Sequence, residues 1–179
     1  LTSHTVVEIR VKEKTVLVHD ASSASDKVLP FYKLILATGA RAIMPDELVN
    51  AANAFTLRSF ADALRLRSYI ERERPRNALV VGGGLIGLEI VEALQRAGLT
   101  TTLIEASSVL AGLPQALSAP LSDHLRSAGV RFHLNTTIGK WQRQGGRITG
   151  FQRNDSQELQ PVDLVFISSG IQPETELAV

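Results

Sequence analysis

The chain has 179 residues, 21% of them charged, and a formal net charge of +1 at pH 7. That length allows one packed domain, or one domain with part of another, and so small a charge favours neither nucleic acid nor an anionic membrane surface as a partner. The absence of cysteine excludes disulfides, thiolate metal sites and a redox dithiol within these residues, and agrees with a cytoplasmic origin.

Thr5 to Asp20 reads as strand, corner and strand, with Lys12-Glu13-Lys14 at the corner. Ala21 to Lys27 is small and polar and reads as a loop. The apolar run Leu34-Ile35-Leu36-Ala37, ended by Thr38-Gly39, predicts a buried strand, and Met44-Pro45-Asp46 a connection. Ser59 with Asp62 three positions later opens a helix reaching about Arg74, where Pro75 stops it. The mixed signs of Glu71-Arg72-Glu73-Arg74 mark a solvated helix end rather than a nucleic-acid contact.

Ala78 to Val81 predicts a buried strand, Leu85 to Ala97 a helix capped by Gly98, and Thr101 to Ile104 a second strand, together a βαβ unit. The apolar stretch from Ala78 to Leu88 is broken by glycines and followed by Glu89 and Glu92, so it does not span a membrane. A second helix covers roughly Pro114 to Ala128, kinked or begun at Pro120, and Val130 to Leu134 is a third strand. Ile138 to Gln142, a Gly145-Gly146 turn, Arg147 to Arg153 and Glu158 to Val162 then predict an antiparallel run, and Asp163 to Ile167 closes as a buried strand. The expected class is α/β: a Rossmann-like parallel sheet with helices on both faces plus a small antiparallel β-meander.

The chemistry lies in Val80-Val81-Gly82-Gly83-Gly84-Leu85-Ile86-Gly87. Gly82-x-Gly84-x-x-Gly87 between a strand and a helix matches the dinucleotide fingerprint. Gly82 serves the tight turn, Gly84 the approach to the pyrophosphate, and Gly87 the packing of helix on sheet. The helix beginning near Leu85 points unpaired N–H groups at the phosphates. Glu105 ends the next strand, about 20 residues beyond the glycines, where a carboxylate meets the adenosine ribose hydroxyls. A carboxylate repels a 2′-phosphate, and no lysine or arginine lies between Arg96 and Arg126, so NAD is favoured over NADP.

Other constellations carry less. His4, His19, His124 and His133 lack metal-ligand spacing, so no metal is expected. Ser122-Asp123-His124 are helix neighbours that point apart and form no relay. Core packing accounts for Trp141.

Three segments in order narrow the reading: Tyr32-Lys33-Leu34-Ile35-Leu36-Ala37-Thr38-Gly39-Ala40-Arg41, the glycine turn through Glu89, and Asp163 to Pro173. Together they resemble the pyridine nucleotide–disulfide oxidoreductase superfamily, in its branch of rubredoxin and ferredoxin reductases, NADH oxidases and the nitrite reductase large subunit. The resemblance implies an NAD domain inserted into an FAD domain. Residues 1–44 would be flanking strands of the FAD domain, 45–165 the NAD-binding domain, and 166–179 a return segment. It implies that Ala37, Thr38, Gly39 and Arg41 lie on the FAD side of the parent. Gly170 and Ile171 would border nicotinamide and flavin, and Glu89 would reach the carboxamide. Leu85 stands where several members carry an aromatic gate.

The chain departs from the family pattern at Tyr32, Ala42 and Glu174, commonly aspartate, proline and asparagine. It holds one glycine fingerprint and not two, so NAD(H) is the expected cofactor and FAD is expected only in the intact parent. With Leu1 first and Met44 its only methionine, the chain reads as a piece of a longer protein. The expected function is to position NADH for hydride transfer to a flavin, with no catalytic side chain of its own and a redox partner protein left open. A stand-alone, non-catalytic NAD-binding module is the alternative. A turn that takes FAD or S-adenosylmethionine also remains open. Apolar surface at Leu34–Ala37 and Leu164–Ile167, lacking its neighbours from the parent, is expected to promote self-association.

Overall fold

Alternation of side chains along short apolar strands organises the larger part of the chain. A computed structural model describes residues 1–107 and 114–178. They fall into two compact units, one within residues 42–171 and the other of residues 1–41 with 172–178.

The larger unit is built on a parallel sheet. Its strands are β5 (Ala54–Phe55), β6 (Asn77–Val81), β7 (Thr100–Ile104), β8 (Arg131–His133) and β12 (Leu164–Ile167), in the order β5-β12-β6-β7-β8. The helices α1 (Phe60–Glu73), α2 (Leu85–Arg96) and α3 (Gln115–Ser127) join them. Antiparallel strands β9 (Ile138–Gln144), β10 (Arg147–Arg153) and β11 (Leu159–Pro161) form the meander. Gly145 and Gly146 both have positive φ, the geometry of a two-residue hairpin turn matched to strand twist.

The fold class is the expected one, but its layers are distributed differently. Ala78, Val80, Leu103, Leu164 and Phe166 point to one face, where they pack with Leu66 and Tyr69 of α1, Val91 and Leu94 of α2, and Leu125 of α3. Leu79, Ile104, Val165 and Ile167 point to the other and pack with Ile148, Phe151 and Val162 of the meander region and with Leu48 of a 3-10 turn. Among the described residues all three α-helices therefore share one face, and the meander takes the place expected of helices on the other. Its alternating strands present one apolar face, which suffices to cover a sheet. Asn53, almost wholly buried, pins this layer: its amide donates to the Ile148 and Asp163 carbonyls (2.7 and 3.0 Å) and accepts from the Ile148 N–H (2.8 Å).

The Ser59 capping box forms as expected, with the Ser59 hydroxyl accepting from the Asp62 N–H (3.3 Å) and the Asp62 carboxylate from the Ser59 N–H (2.9 Å). Ser59→Ala is expected to lower the unfolding free energy by about 1 kcal/mol, measured as a lower urea midpoint with unchanged slope. Pro120 neither starts nor ends α3, which begins at Gln115 and carries the proline inside it.

The smaller unit contains the antiparallel sheet β1 (His4–Arg10), β2 (Thr15–Asp20) and β3 (Ser25–Pro30). The loop expected over Ala21–Lys27 is a turn followed by β3. Asp20 folds this segment back by accepting from the Ser22 N–H (3.0 Å) and Lys27 (2.7 Å). β3 is exposed along nearly its whole length, so it carries no apolar alternation to betray it. The buried strand expected at Leu34–Ala37 does not form either: Leu34, Ile35 and Leu36 are 40, 88 and 47% exposed in irregular chain. Apolar content alone does not bury a segment that has no strand to pair with. Leu164–Ile167, also expected to leave apolar surface exposed, is fully buried between β5 and β6 in the sheet. Two short strands, β4 (Ala40–Ala42) and β13 (Ile171–Pro173), form a separate ribbon. No helix among the described residues is long and apolar enough to cross a membrane.

Candidate functional site

In an open α/β sheet, ligands bind in the crevice outside the carboxyl ends of the strands. Here the glycine turn leaves the carboxyl end of β6, beside those of its neighbours β12 and β7. The Gly82 N–H donates to the Ile104 carbonyl (2.8 Å) and the Ser168 N–H to the Val81 carbonyl (2.7 Å), stitching the ends of three strands together. Gly82 has φ +105°, and a Cβ there would lie 2.3 Å from the Ser168 carbonyl oxygen. A Cβ on Gly87 would lie 2.0 Å from the Gly82 carbonyl oxygen, so the first turn of α2 rests directly on the glycine turn. Gly84, the N-cap of α2, meets no atom within 4 Å of its Cβ position and supplies no side-chain cap. The first N–H groups of α2 thus remain available to an anion at the positive end of the helix.

Glu105 braces the turn from β7. One carboxylate oxygen accepts from the Gly83 N–H (2.6 Å), the other from the N–H and hydroxyl of Ser107 (both 2.8 Å). Burial pushes its pKa up, but these hydrogen bonds, with one from the Ala106 N–H, outweigh that and hold it below the usual glutamate value. It is therefore a fixed anion at neutral pH.

Gly82, Gly84 and Glu105 line a cavity of about 600 Å³, completed by Ala106, Thr136, Thr137, Ile138 and Trp141, by Pro45 and Glu47, and by Ser168 to Gly170. A second cavity of about 340 Å³ is lined by Ala42, Leu57, Leu85, Ile86 and Ile171. Gly84, Ile167, Ser168 and Gly170 line both, so the two are halves of one crevice over the glycine turn. The larger half carries the fixed carboxylate; the smaller is walled by exposed apolar side chains, Leu85, Ile86 and Ile171.

The structure thus assembles Gly82, Gly83, Gly84, Leu85, Ile86, Gly87, Glu105, Gly170 and Ile171 around one crevice. Glu89 lines neither half: it is exposed and lines an adjoining groove between α2 and α3 with Leu85, Leu121 and His124. Thr136, Thr137, Ile138 and Trp141 escaped sequence reasoning, and the only local sign of their loop is Asn135, held at positive φ. In the smaller unit, Thr38, Gly39 and Arg41 converge on Glu174. The Thr38 hydroxyl donates to its carbonyl, its N–H donates to the Gly39 carbonyl (3.0 Å), and Arg41 pairs with its carboxylate (2.6 Å). Among the described residues no group of three His, Asp or Glu side chains is placed to hold a metal.

Sheet order, glycine turn and the crevice over it define a Rossmann-type α/β unit. The family model described as pyridine nucleotide-disulphide oxidoreductase matches residues 1–179, and the chain belongs to that family. It is 31% identical to monodehydroascorbate reductase 4, peroxisomal, of Arabidopsis thaliana over 96% of its own length and 36% of that protein's. It is 37% identical to the nitric oxide reductase FlRd-NAD(+) reductase of Salmonella gallinarum over 87% of its own length and 40% of the relative's. Among solved structures, the NAD-dependent persulfide reductase from A. fulgidus superposes with a TM-score of 0.86 at 32% identity, over 99% of this chain and 33% of that one. The chain therefore spans well under half the length of these relatives.

Proposed function

We propose that this chain is the NAD(H)-binding domain of an FAD-dependent NADH oxidoreductase, and that it positions NADH for hydride transfer to the flavin. The observation that carries the reading is the Glu105 carboxylate, locked onto the Gly83 N–H at the wall of the larger cavity. Ribose hydroxyls would compete with the Ser107 hydroxyl for this carboxylate, whose charge repels a 2′-phosphate. The uncapped start of α2 holds the pyrophosphate, and Leu85, Ile86, Gly170 and Ile171 offer the nicotinamide an apolar seat that excludes water. NADH supplies the hydride, which carries both electrons and asks no proton of a side chain. The chain's contribution is placement.

FAD is assigned to the rest of the parent, because the single glycine fingerprint is committed to the nicotinamide cofactor. Ala37, Thr38, Gly39 and Arg41 are assigned to the flavin side, and residues 1–44 and 166–179 to the FAD domain. The exposed Leu34, Ile35 and Leu36 favour a longer parent over a stand-alone NAD-binding module, since such a module gains nothing from leaving them in water. The same side chains account for the expected self-association of the isolated chain. A cytoplasmic setting accords with the lack of cysteine. A protein acceptor accords with the name of the Salmonella relative.

Calorimetric titration with NADH, NADPH, FAD and S-adenosylmethionine tests the assignment. NADH is expected to bind most tightly, and binding of FAD or S-adenosylmethionine without NADH would overturn it.

A further inference from the structure

One wall of the larger cavity is built from the chain that follows β8. The Glu105 N–H donates to the His133 carbonyl (2.9 Å), the Asn135 N–H to the Ser107 carbonyl (3.2 Å) and the Thr136 N–H to the Glu105 carbonyl (3.0 Å). Thr137 is held in turn by Asn154, whose side-chain oxygen accepts from the Thr137 N–H and whose own N–H donates to the Thr137 carbonyl, both at 3.0 Å. β9 leaves from this loop, and Trp141 stands in it opposite the buried Phe151 of β10. The wall that carries Trp141 is therefore bonded, backbone to backbone, to the segment that carries Glu105.

Trp141 packs against the core that contains Ile104, Phe151 and Val162, yet it remains half-buried and lines the cavity with Thr136, Thr137 and Ile138. Core packing alone favours full cover, because its gain grows with the apolar area removed from water. Among the described residues no aromatic ring or cation lies over the indole. Ile104, Glu105 and Ala106 at the end of β7 line the same cavity, whereas Thr136, Thr137, Ile138 and Trp141 do not line the smaller half. With the adenosine ribose at Glu105, the base attached to that ribose falls in the half that holds Trp141.

Resting on the reading of the crevice as an NADH site, we propose that Trp141 is its adenine-binding residue: the base stacks on the open part of the indole, which the core holds in place from behind. Stacking asks only for a π face, so the seat needs no further polar partner for the base. The role is one of binding. Trp141 adds affinity for the adenosine half of the cofactor and takes no part in hydride transfer at the nicotinamide end.

Trp141 is the only tryptophan of the chain, so its emission reports this seat directly. ADP-ribose, which carries adenine without nicotinamide, is expected to change that emission saturably, and ribose 5-phosphate is expected to leave it unmoved. Trp141→Leu, which keeps an apolar side chain against the core, is expected to weaken both ADP-ribose and NADH about tenfold by calorimetry, as the loss of one base–aromatic contact does. Trp141→Phe keeps a ring and is expected to recover most of that affinity, which separates stacking from bulk. If the Trp141→Leu chain fails to fold, the emission titration of the unaltered chain and the Trp141→Phe affinities decide the matter. Heat from ADP-ribose with unmoved emission, binding of NADH with none of ADP-ribose, or equal affinity in Trp141→Leu and the unaltered chain would overturn the proposal and leave the NADH reading standing. Absence of NADH binding would instead remove that reading, and the seat with it.

Discussion

Gly87→Ala is expected to lower the unfolding free energy by about 3 kcal/mol, the upper end of the range for overpacking a well-packed site. The new Cβ would sit 2.0 Å from the Gly82 carbonyl oxygen, and both parties are backbone, so no rotamer change relieves the contact. The helix must lift from the turn, and NADH affinity should fall with it. Gly82→Ala meets two obstacles at once, the left-handed φ of +105° and the Ser168 carbonyl oxygen at 2.3 Å. Gly84→Ala provides the contrast. Its φ is −71° and its Cβ position is open, so only the N-cap preference is lost, at most about 1 kcal/mol. If Gly84 is kept bare for the pyrophosphate, its alanine variant stays folded and still binds NADH weakly. Urea midpoints and NADH dissociation constants on the three variants separate the roles. A Gly84→Ala protein with undiminished affinity would remove the phosphates from that position.

The same residues show what could be read in advance. Strand, turn, helix and strand from Asn77 to Ile104 were legible because each element declares itself locally, by an apolar run, a glycine cluster or a helical period. Glu105 was legible because its distance from the glycines along the chain is fixed by one crossover. The second wall of the crevice was not. Thr136, Thr137, Ile138 and Trp141 arrive there through pairing of β9 with β10 and the packing of the meander on the sheet, which no local pattern records. Trp141 does pack against that core, as expected, and it also lines the larger cavity. β5 escaped notice because two residues, Ala54 and Phe55, become a strand only when β12 lies alongside them. The run at Leu34–Ala37 failed in the opposite sense: its composition suits a buried strand, but composition says nothing of whether a partner is at hand. The covering of the second sheet face follows the same logic, since an apolar sheet face accepts a β-layer as readily as a helical one.

Glu105→Arg is expected to reverse the preference between NADH and NADPH, weakening NADH by roughly ten- to a hundredfold, the range for a lost charged hydrogen bond. The carboxylate has a double task. It accepts from the Gly83 N–H and from Ser107, shaping the turn, and it lines the cavity, where ribose hydroxyls would compete with the Ser107 hydroxyl for it. Arginine removes both and adds a cation that a 2′-phosphate can use. NADPH affinity should rise by less than NADH affinity falls, because the Gly83 N–H loses its acceptor in either case. Glu105→Gln isolates the tasks. Its amide oxygen can still accept from Gly83, so the turn keeps its shape, but the charge is gone and the ribose contact weakens without any gain for NADPH. The pH dependence follows from the lowered pKa of Glu105. A carboxylate with a depressed folded-state pKa contributes stability above its unfolded value and loses it as pH falls through the folded one. NADH affinity should therefore hold through the ordinary glutamate range and decline only at more acid pH. An affinity that drops at the ordinary value, or a preference unmoved by arginine, would take the carboxylate away from the ribose and leave it as a brace of the turn alone.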